Sequence, residues 1–147
     1  MDRSIQIDTF NRITQVSRET IRSLEKYEKM LISANNSLNL IGKSTIPDIW
    51  NRHFLDSFQL IDFIEKNEKS LIDIGSGAGF PGIILAIAAK DKNIPLKITL
   101  LDKSPKKIIF LKKIIKELNL NVQTLSKNIL DDDVKFTDDI FVARAFK

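Results

Sequence analysis

Cysteine is absent from this 147-residue chain, and histidine occurs once, at position 53. The first absence excludes disulfide frameworks, thiol nucleophiles and cysteine-ligated zinc together. The second excludes multi-histidine sites, so no metal centre is expected. The longest unbroken apolar run, Ile83 to Ala89, has seven residues, against the ~20 that cross a bilayer. Met1-Asp2-Arg3-Ser4 is not followed by the apolar stretch of a secretory signal. A cytoplasmic chain without a membrane span is the expectation.

What is present suits one globular domain. Apolar residues make up 43% and charged residues 29%, which excludes disordered and low-complexity classes. The net charge is +4, and its distribution says more than its total. Residues 1–70 carry ten basic and ten acidic side chains, whereas residues 71–147 carry thirteen and nine. Six lysines and no acid lie between Lys103 and Lys116, and five aspartates with one lysine lie from Asp131 to Asp139. A local basic face suits a polyanion such as nucleic acid. It suits a solvated helix face equally well. Isoleucine, lysine and asparagine make up 50 of the 147 residues, a bias that AT-rich coding produces and that lowers the weight of any lysine cluster.

The first part of the chain reads as helices. Ile13, Val16, Leu24, Tyr27 and Leu31 recur at helical spacing. Asn35-Asn36-Ser37 is expected to break that helix, Gly42 to Thr45 forms a loop, and Asp48 to Ile64 resumes the helical period. The pattern changes at Leu71-Ile72-Asp73-Ile74, a short apolar strand running into Gly75-Ser76-Gly77-Ala78-Gly79. Pro81 suits the first turn of a helix that continues through Ile83 to Ala89. Lys97 to Leu101 is a second strand ending at Asp102, and Ser104-Pro105 caps and opens a helix with the stripe Ile108, Leu111, Ile115 and Leu118. Asn121 to Leu125 and Ile140 to Ala143 are the third and fourth strands. Such alternation implies an α/β fold with a parallel sheet and right-handed crossovers.

Alternating glycines after a strand let the backbone turn tightly and approach a ligand. Three ligand classes use such loops. A P-loop needs lysine and a hydroxyl after its last glycine, but Ile83-Ile84 follow Gly82, so nucleotide hydrolysis is poorly supported. A dinucleotide fingerprint needs a small third residue, where this chain has Phe80; an NAD-dependent oxidoreductase is the weaker reading. The remaining pattern, an acid two residues before G-x-G-x-G, resembles motif I of class I methyltransferases, which bind S-adenosylmethionine. Asp102, ending the second strand, can accept hydrogen bonds from ribose hydroxyls there, as the acid of dinucleotide sites does.

The match is narrower than that superfamily. Asn39-Leu40, Arg52-His53-Phe-Leu-Asp56-Ser57, Asp73-Ile-Gly-Ser-Gly-Ala-Gly-Phe-Pro-Gly82, Lys106-Lys107-Ile-Ile-Phe-Leu111 and Ala143-Arg144-Ala145 occur in this order. From about Leu31 to the last residue, the chain resembles the ribosomal small-subunit methyltransferase G family, also called glucose-inhibited division protein B. The resemblance implies methyl transfer from S-adenosylmethionine to N7 of a guanine in 16S rRNA, free or in the small ribosomal subunit, by a monomeric enzyme.

It also implies a Rossmann-like class I methyltransferase fold at 70–147, preceded by an N-terminal helical extension at 1–69, the two forming one structural unit. Gly75, Gly77, Phe80, Asp102, Ile129, Leu130 and Arg144 are the implied cofactor-binding residues, with Arg144 next to the target base. Lys106, Lys107 and Lys113 are the implied RNA contacts. No catalytic acid or base is expected. Guanine N7 has an in-plane lone pair and no proton, so alignment supplies the catalysis. His53 is expected to be a packed structural residue, Arg52 and Asp56 to form an i,i+4 ion pair, and the alternative for Arg144 is an ion pair with the Asp131–Asp133 carboxylates.

Two departures stand out. The family commonly has Arg-x-Glu after the third strand, where this chain has Asn128-Ile129-Leu130, so backbone contacts survive and the charged pair does not. The chain also supplies four of the family's usual seven strands, expected in the order 3-2-1-4. It is therefore expected to be C-terminally truncated, either an enzyme by descent or a non-catalytic, RNA-binding remnant.

Overall fold

A computed structural model of the chain describes residues 1–131, 133 and 137–144. Two helices open it, α1 (Arg3–Thr14) and α2 (Arg18–Leu38). The stripe from Ile13 to Leu31 is thus split between two helices rather than carried by one. Gln15 takes the left-handed conformation (φ 54°), and Ser17 starts α2 by accepting the Thr20 N–H at 3.1 Å, as an N-cap does. The expected break at Asn35-Asn36-Ser37 does not occur. Asn35 is buried, and its amide both accepts from Ile41 N (2.9 Å) and donates to Ile41 O (3.1 Å). With its polar groups satisfied, the helix runs on to Leu38 and stops at Asn39 (φ 50°).

The Asp48–Ile64 region is helical but not one α-helix. A 3₁₀ turn (Lys43–Asp48), a π-wound turn (Trp50–Leu55), α3 (Asp56–Phe58) and a second 3₁₀ turn (Gln59–Phe63) follow one another. Together with α1 and α2 they bury an aromatic cluster. Phe10 meets Trp50 and Phe58 edge-on at 5.4 Å, and Tyr27 stacks on Phe54 at 5.5 Å.

The sheet follows the strand pattern closely. β1 (Ser70–Ile74), β2 (Lys97–Asp102), β3 (Val122–Ser126) and β4 (Ile140–Ala143) are all parallel, in the order β3-β2-β1-β4. Asp73 pairs with Leu100 on one side and Val142 on the other. α4 (Gly82–Asp91) is buried from Gly82 to Ala89, because it lies between the sheet and the helical layer, touching β2, α2 and α3. Pro81 stands just ahead of it as the N-cap residue. α5 (Pro105–Glu117) begins as expected, with the Ser104 hydroxyl accepting from Lys107 N and Pro105 in its first turn. Its buried face is Ile108, Phe110, Leu111 and Ile114. Ile108, Leu111 and Leu118 of the expected stripe are buried and Ile115 is half-buried against the core, with Phe110 and Ile114 widening the face.

One apolar cluster joins the layers: Phe10, Leu24, Tyr27, Trp50 and Phe54 of the helical layer are contiguous with Leu71, Ile83, Ile84 and Leu100 of the α/β part. Fully burying side chains of this size contributes ~1.5–3 kcal/mol each relative to exposure.

Candidate functional site

The glycine loop turns at the carboxyl end of β1. Gly75, Gly77 and Gly79 all have positive φ (74°, 56° and 103°). Gly75 N and Ser76 N both donate to Leu101 O, at 2.8 and 3.0 Å, which ties the turn to the end of β2. At Gly79 a side chain is excluded by space as well as by φ, since a Cβ would lie 2.5 Å from Tyr27 Oη and 2.7 Å from Ile83 Cγ1. At Gly82 the reason is close approach alone, because a Cβ would collide with Leu100 Cδ2 and come within 2.7 Å of Asp73 Oδ2.

Two carboxylates and one phenol hold the loop. Asp73 is fully buried, and its Oδ2 accepts from Gly82 N at 2.8 Å, which fixes the start of α4 to β1. Its Oδ1 has no partner. Burial pushes the Asp73 pKa up to about 7, against the opposing hydrogen bond from Gly82. Asp102 accepts from Gly77 N through Oδ2 (2.8 Å) and from Ser104 N through Oδ1 (2.9 Å). Tyr27 Oη donates to Ala78 O, so α2 grips the loop from the other face.

A cavity of ≈ 530 Å³ opens beside this turn, at the carboxyl ends of β1, β2 and β3. That is where open α/β sheets bind ligands, and the volume lies within the ~300–1,000 Å³ typical of small-molecule sites. Gly75, Asp102, Ile129 and Leu130 line it, as do Ile74, Leu101, Lys103, Lys107, Lys127 and Asn128. Gly77 adjoins it through its bond to Asp102. The segment after β3 is shaped by Asn128, whose Oδ1 accepts from Leu130 N at 3.0 Å and whose N–H donates to Asp131 Oδ2 at 3.1 Å. This local turn sets Ile129 and Leu130 against the cavity in place of a charged pair.

Phe80 and Arg144 are not among the lining residues. Phe80 is buried, stacked on His53 with ring centroids 4.9 Å apart and planes 13° apart. The Arg144 guanidinium lies over Phe80 at 5.6 Å and donates through Nη2 to Arg52 O at 3.1 Å. Ala143 pairs with Ile74, so Arg144 emerges next to Gly75 on the β4 side, while the cavity lies on the β2 side. Lys106 and Lys113 are exposed on α5, outside the cavity; Lys107 is half-buried and lines it.

Neither the expected Arg52–Asp56 ion pair nor the alternative ion pair of Arg144 forms among the described residues. Arg144 has no carboxylate partner; Asp133 pairs with Lys127, Asp131 accepts from Asn128, and Asp132 lies outside the described residues. Arg52 does not pair with Asp56. Residues 50–55 are π-wound, and the wider turn aligns residues five apart rather than four.

His53 is a packed residue. Its Nε2 is hydrogen-bonded to Thr45 Oγ1 at 2.9 Å, and Thr45 Oγ1 also lies 2.6 Å from Gly42 O. Nδ1 is left buried without a partner. Burial, then the positive charges of Arg144 and Arg52, lower its pKa to about 4.

Sequence reasoning missed Lys127 and the apolar wall of Ile74 and Leu101, and gave Lys103 only as part of the basic run. The available signal was position: each stands at, or just beyond, the carboxyl end of a strand.

With the fold and this rim in view, residues 20–147 match the family described as rRNA small subunit methyltransferase G. The chain belongs to that family. Proteins named ribosomal RNA small subunit methyltransferase G from Rickettsia akari and Rickettsia felis are each 42% identical to it over 132 residues, covering 90% of this chain and 65% of the relative. The one from Rickettsia prowazekii is 41% identical over the same span. The chain thus spans just under two thirds of the length of the curated methyltransferase G relatives it matches. A crystal structure of coclaurine N-methyltransferase bound to N-methylheliamine and SAH superposes with a TM-score of 0.51 at 16% identity, covering 95% of this chain and 49% of that one. The chain accordingly has the Rossmann-like class I methyltransferase fold. Among its described residues no helix is long and apolar enough to cross a membrane.

Proposed function

We propose that the chain binds S-adenosylmethionine and belongs to a cytoplasmic, monomeric enzyme that methylates N7 of a guanine in 16S rRNA. The observation that carries this reading is the cavity bounded by the Gly75 turn, Asp102 and the segment after β3. Its residues fit the cofactor. An ionised carboxylate offers about four acceptor sites, and the protein's own amides use two of those on Asp102, leaving capacity for a pair of ribose hydroxyls. Gly75 presents no side chain to obstruct the approach, and Leu101, Ile129 and Leu130 supply apolar surface for an adenine.

When bound, S-adenosylmethionine supplies an electrophilic methyl on a sulfonium sulfur. Guanine N7 needs no deprotonation to attack it, so this reading assigns no base. His53 Nε2 is hydrogen-bonded to Thr45, and Asp73 is buried beneath the loop on Gly82. The work left to the chain is alignment, which contributes through effective concentration rather than proton transfer. Lys103 and Lys107 add positive charge at the mouth, suited to a polyanionic substrate; Lys106 and Lys113 extend that charge along α5.

Calorimetric titration with S-adenosylhomocysteine tests the reading. We expect saturable binding to the wild-type chain and none to Gly77→Val, which places a β-branched residue at φ 56° in the turn whose N–H holds Asp102. Absence of binding at millimolar ligand, or full affinity in the variant, would sink it. Because the chain spans 65% of its relatives, RNA binding without transfer is the second reading. Incorporation of labelled methyl into 16S rRNA separates the two.

A further inference from the structure

Three lysines, Lys103, Lys107 and Lys127, line the cavity against a single acid, Asp102. Lys127 is neutralised by its ion pair with Asp133. Among the described residues Lys103 and Lys107 enter no ion pair. Lys103 is exposed and Lys107 half-buried, so both ammonium groups come to the cavity uncompensated. Asp102 turns one oxygen onto Gly77 N–H and the other onto Ser104 N–H. The segment after β3 brings Asn128, Ile129 and Leu130 to the wall and no further carboxylate. A cavity built for adenosine alone, or for a cationic sulfonium, does not call for two unpaired ammonium groups. Their place is also specific. Lys103 directly follows the acid that ends β2, and Lys107 stands in the first turn of α5. In dinucleotide sites the acid at the end of this strand holds the ribose hydroxyls, and a basic side chain nearby accommodates a phosphate on the ribose 2′ oxygen.

The geometry points to a second class of ligand for this cavity: a free adenosine nucleotide phosphorylated on the 2′ or 3′ oxygen of its ribose, its phosphate held by Lys103 and Lys107. One ribose hydroxyl stays with Asp102, and the phosphate on the neighbouring oxygen meets the lysines, whose compact ammonium groups act on it as point charges. Gly75 and the apolar wall of Leu101, Ile129 and Leu130 serve this adenosine as they serve that of the cofactor. Nucleotide and S-adenosylmethionine therefore exclude each other, and the nucleotide restrains methyl transfer by competition. The inference rests on the reading of this cavity as an adenosine site and is independent of the methyl acceptor.

The test is calorimetric titration of the full chain with adenosine 2′-monophosphate and adenosine 3′-monophosphate as probes, and adenosine and adenosine 5′-monophosphate as references. At low salt at least one probe should bind about tenfold more tightly than either reference, the scale of a charge-assisted bond. Saturating S-adenosylhomocysteine should abolish the heat of that probe. Combining Lys103→Gln with Lys107→Gln should bring the probe to the affinity of adenosine, whereas Lys112→Gln, exposed on α5, should keep the gap. Reading the ratio of two ligands on one protein separates loss of the phosphate contact from a general change in the cavity. Probes no tighter than the references, a gap that survives in the double variant, an equal loss in Lys112→Gln, or probe binding that persists under saturating S-adenosylhomocysteine would each overturn the nucleotide site. S-adenosylhomocysteine binding without a probe advantage overturns that site alone. A lysine-dependent probe advantage in a chain that binds no S-adenosylhomocysteine would instead overturn the methyltransferase reading alone.

Discussion

His53 is the chain's one histidine, and its Nε2 and ring are both engaged, by Thr45 and by Phe80. Its folded pKa of about 4 lies below the ordinary 6.5. Between those values the unfolded chain binds more protons, so this residue makes stability rise with pH from about 4 to 6.5. Asp73 acts with the opposite sign. Its carboxyl is raised from 3.8 to about 7, the folded state binds more protons in that interval, and stability falls as pH climbs through it. Urea midpoints measured from about pH 4.5 to 6.5 should separate them. Asp73→Asn keeps an acceptor for Gly82 N–H and should leave only the rising limb, whereas His53→Phe should leave only the falling one. The imidazole proton resonance should show no step near 6.5. Two variants with the parent's profile would contradict both assignments. The motif marked Asp73 as part of the loop. That its carboxylate caps α4 through Gly82 depends on a contact nine residues away, which spacing does not reveal.

Among elements, α2 and the glycine loop are the consequential pair. Tyr27 Oη reaches Ala78 O over 51 residues, so a helix outside the α/β part helps set the turn beside the cavity. Tyr27→Phe leaves that buried carbonyl without this donor, a loss of ~1–3 kcal/mol. We expect a lower urea midpoint together with severalfold weaker S-adenosylhomocysteine binding. A variant with lowered stability and unaltered affinity would confine Tyr27 to packing. The strands were legible to within a residue or so because β1 to β4 are short apolar runs bounded by glycine, proline or polar turns. The helices of residues 1–64 were less so. Gln15 adopts a left-handed conformation that its residue type does not advertise, and Asn35 meets its hydrogen-bonding needs through Ile41 rather than by ending the helix. The wider buried face of α5 has a similar origin, since Phe110 and Ile114 join the expected stripe through what packs against that helix.

Across the whole molecule, a single apolar cluster runs from Phe10 to Leu120. The boundary near residue 70 therefore divides two kinds of structure that share one core. Trp50 is the sole tryptophan and is buried in the helical layer beside Phe10 and Phe54. If the layers unfold together, Trp50 fluorescence and far-UV circular dichroism will give coincident urea transitions. Separated midpoints would mean that the helical layer melts by itself. The same shared core explains why Arg144 and the cavity can stand on either side of one loop: Gly75 follows the end of β1, with β2 on one flank and β4 on the other.

Local chemistry was enough to establish the parallel α/β class and the glycine turn, because each follows from short-range pattern; the strand order was implied by the family resemblance. The segment after β3 was likewise placed by its distance from a recognisable strand. The division of roles along the rim was not accessible in that way. Gly75, Asp102, Ile129 and Leu130 meet at one cavity, while Phe80 turns into the core beneath Arg144. Which way an aromatic after the last glycine points depends on what the helical layer offers it, here His53, Phe54 and Tyr27. Packing between segments distant in sequence settled that choice, and with it the side of the loop on which the arginines stand.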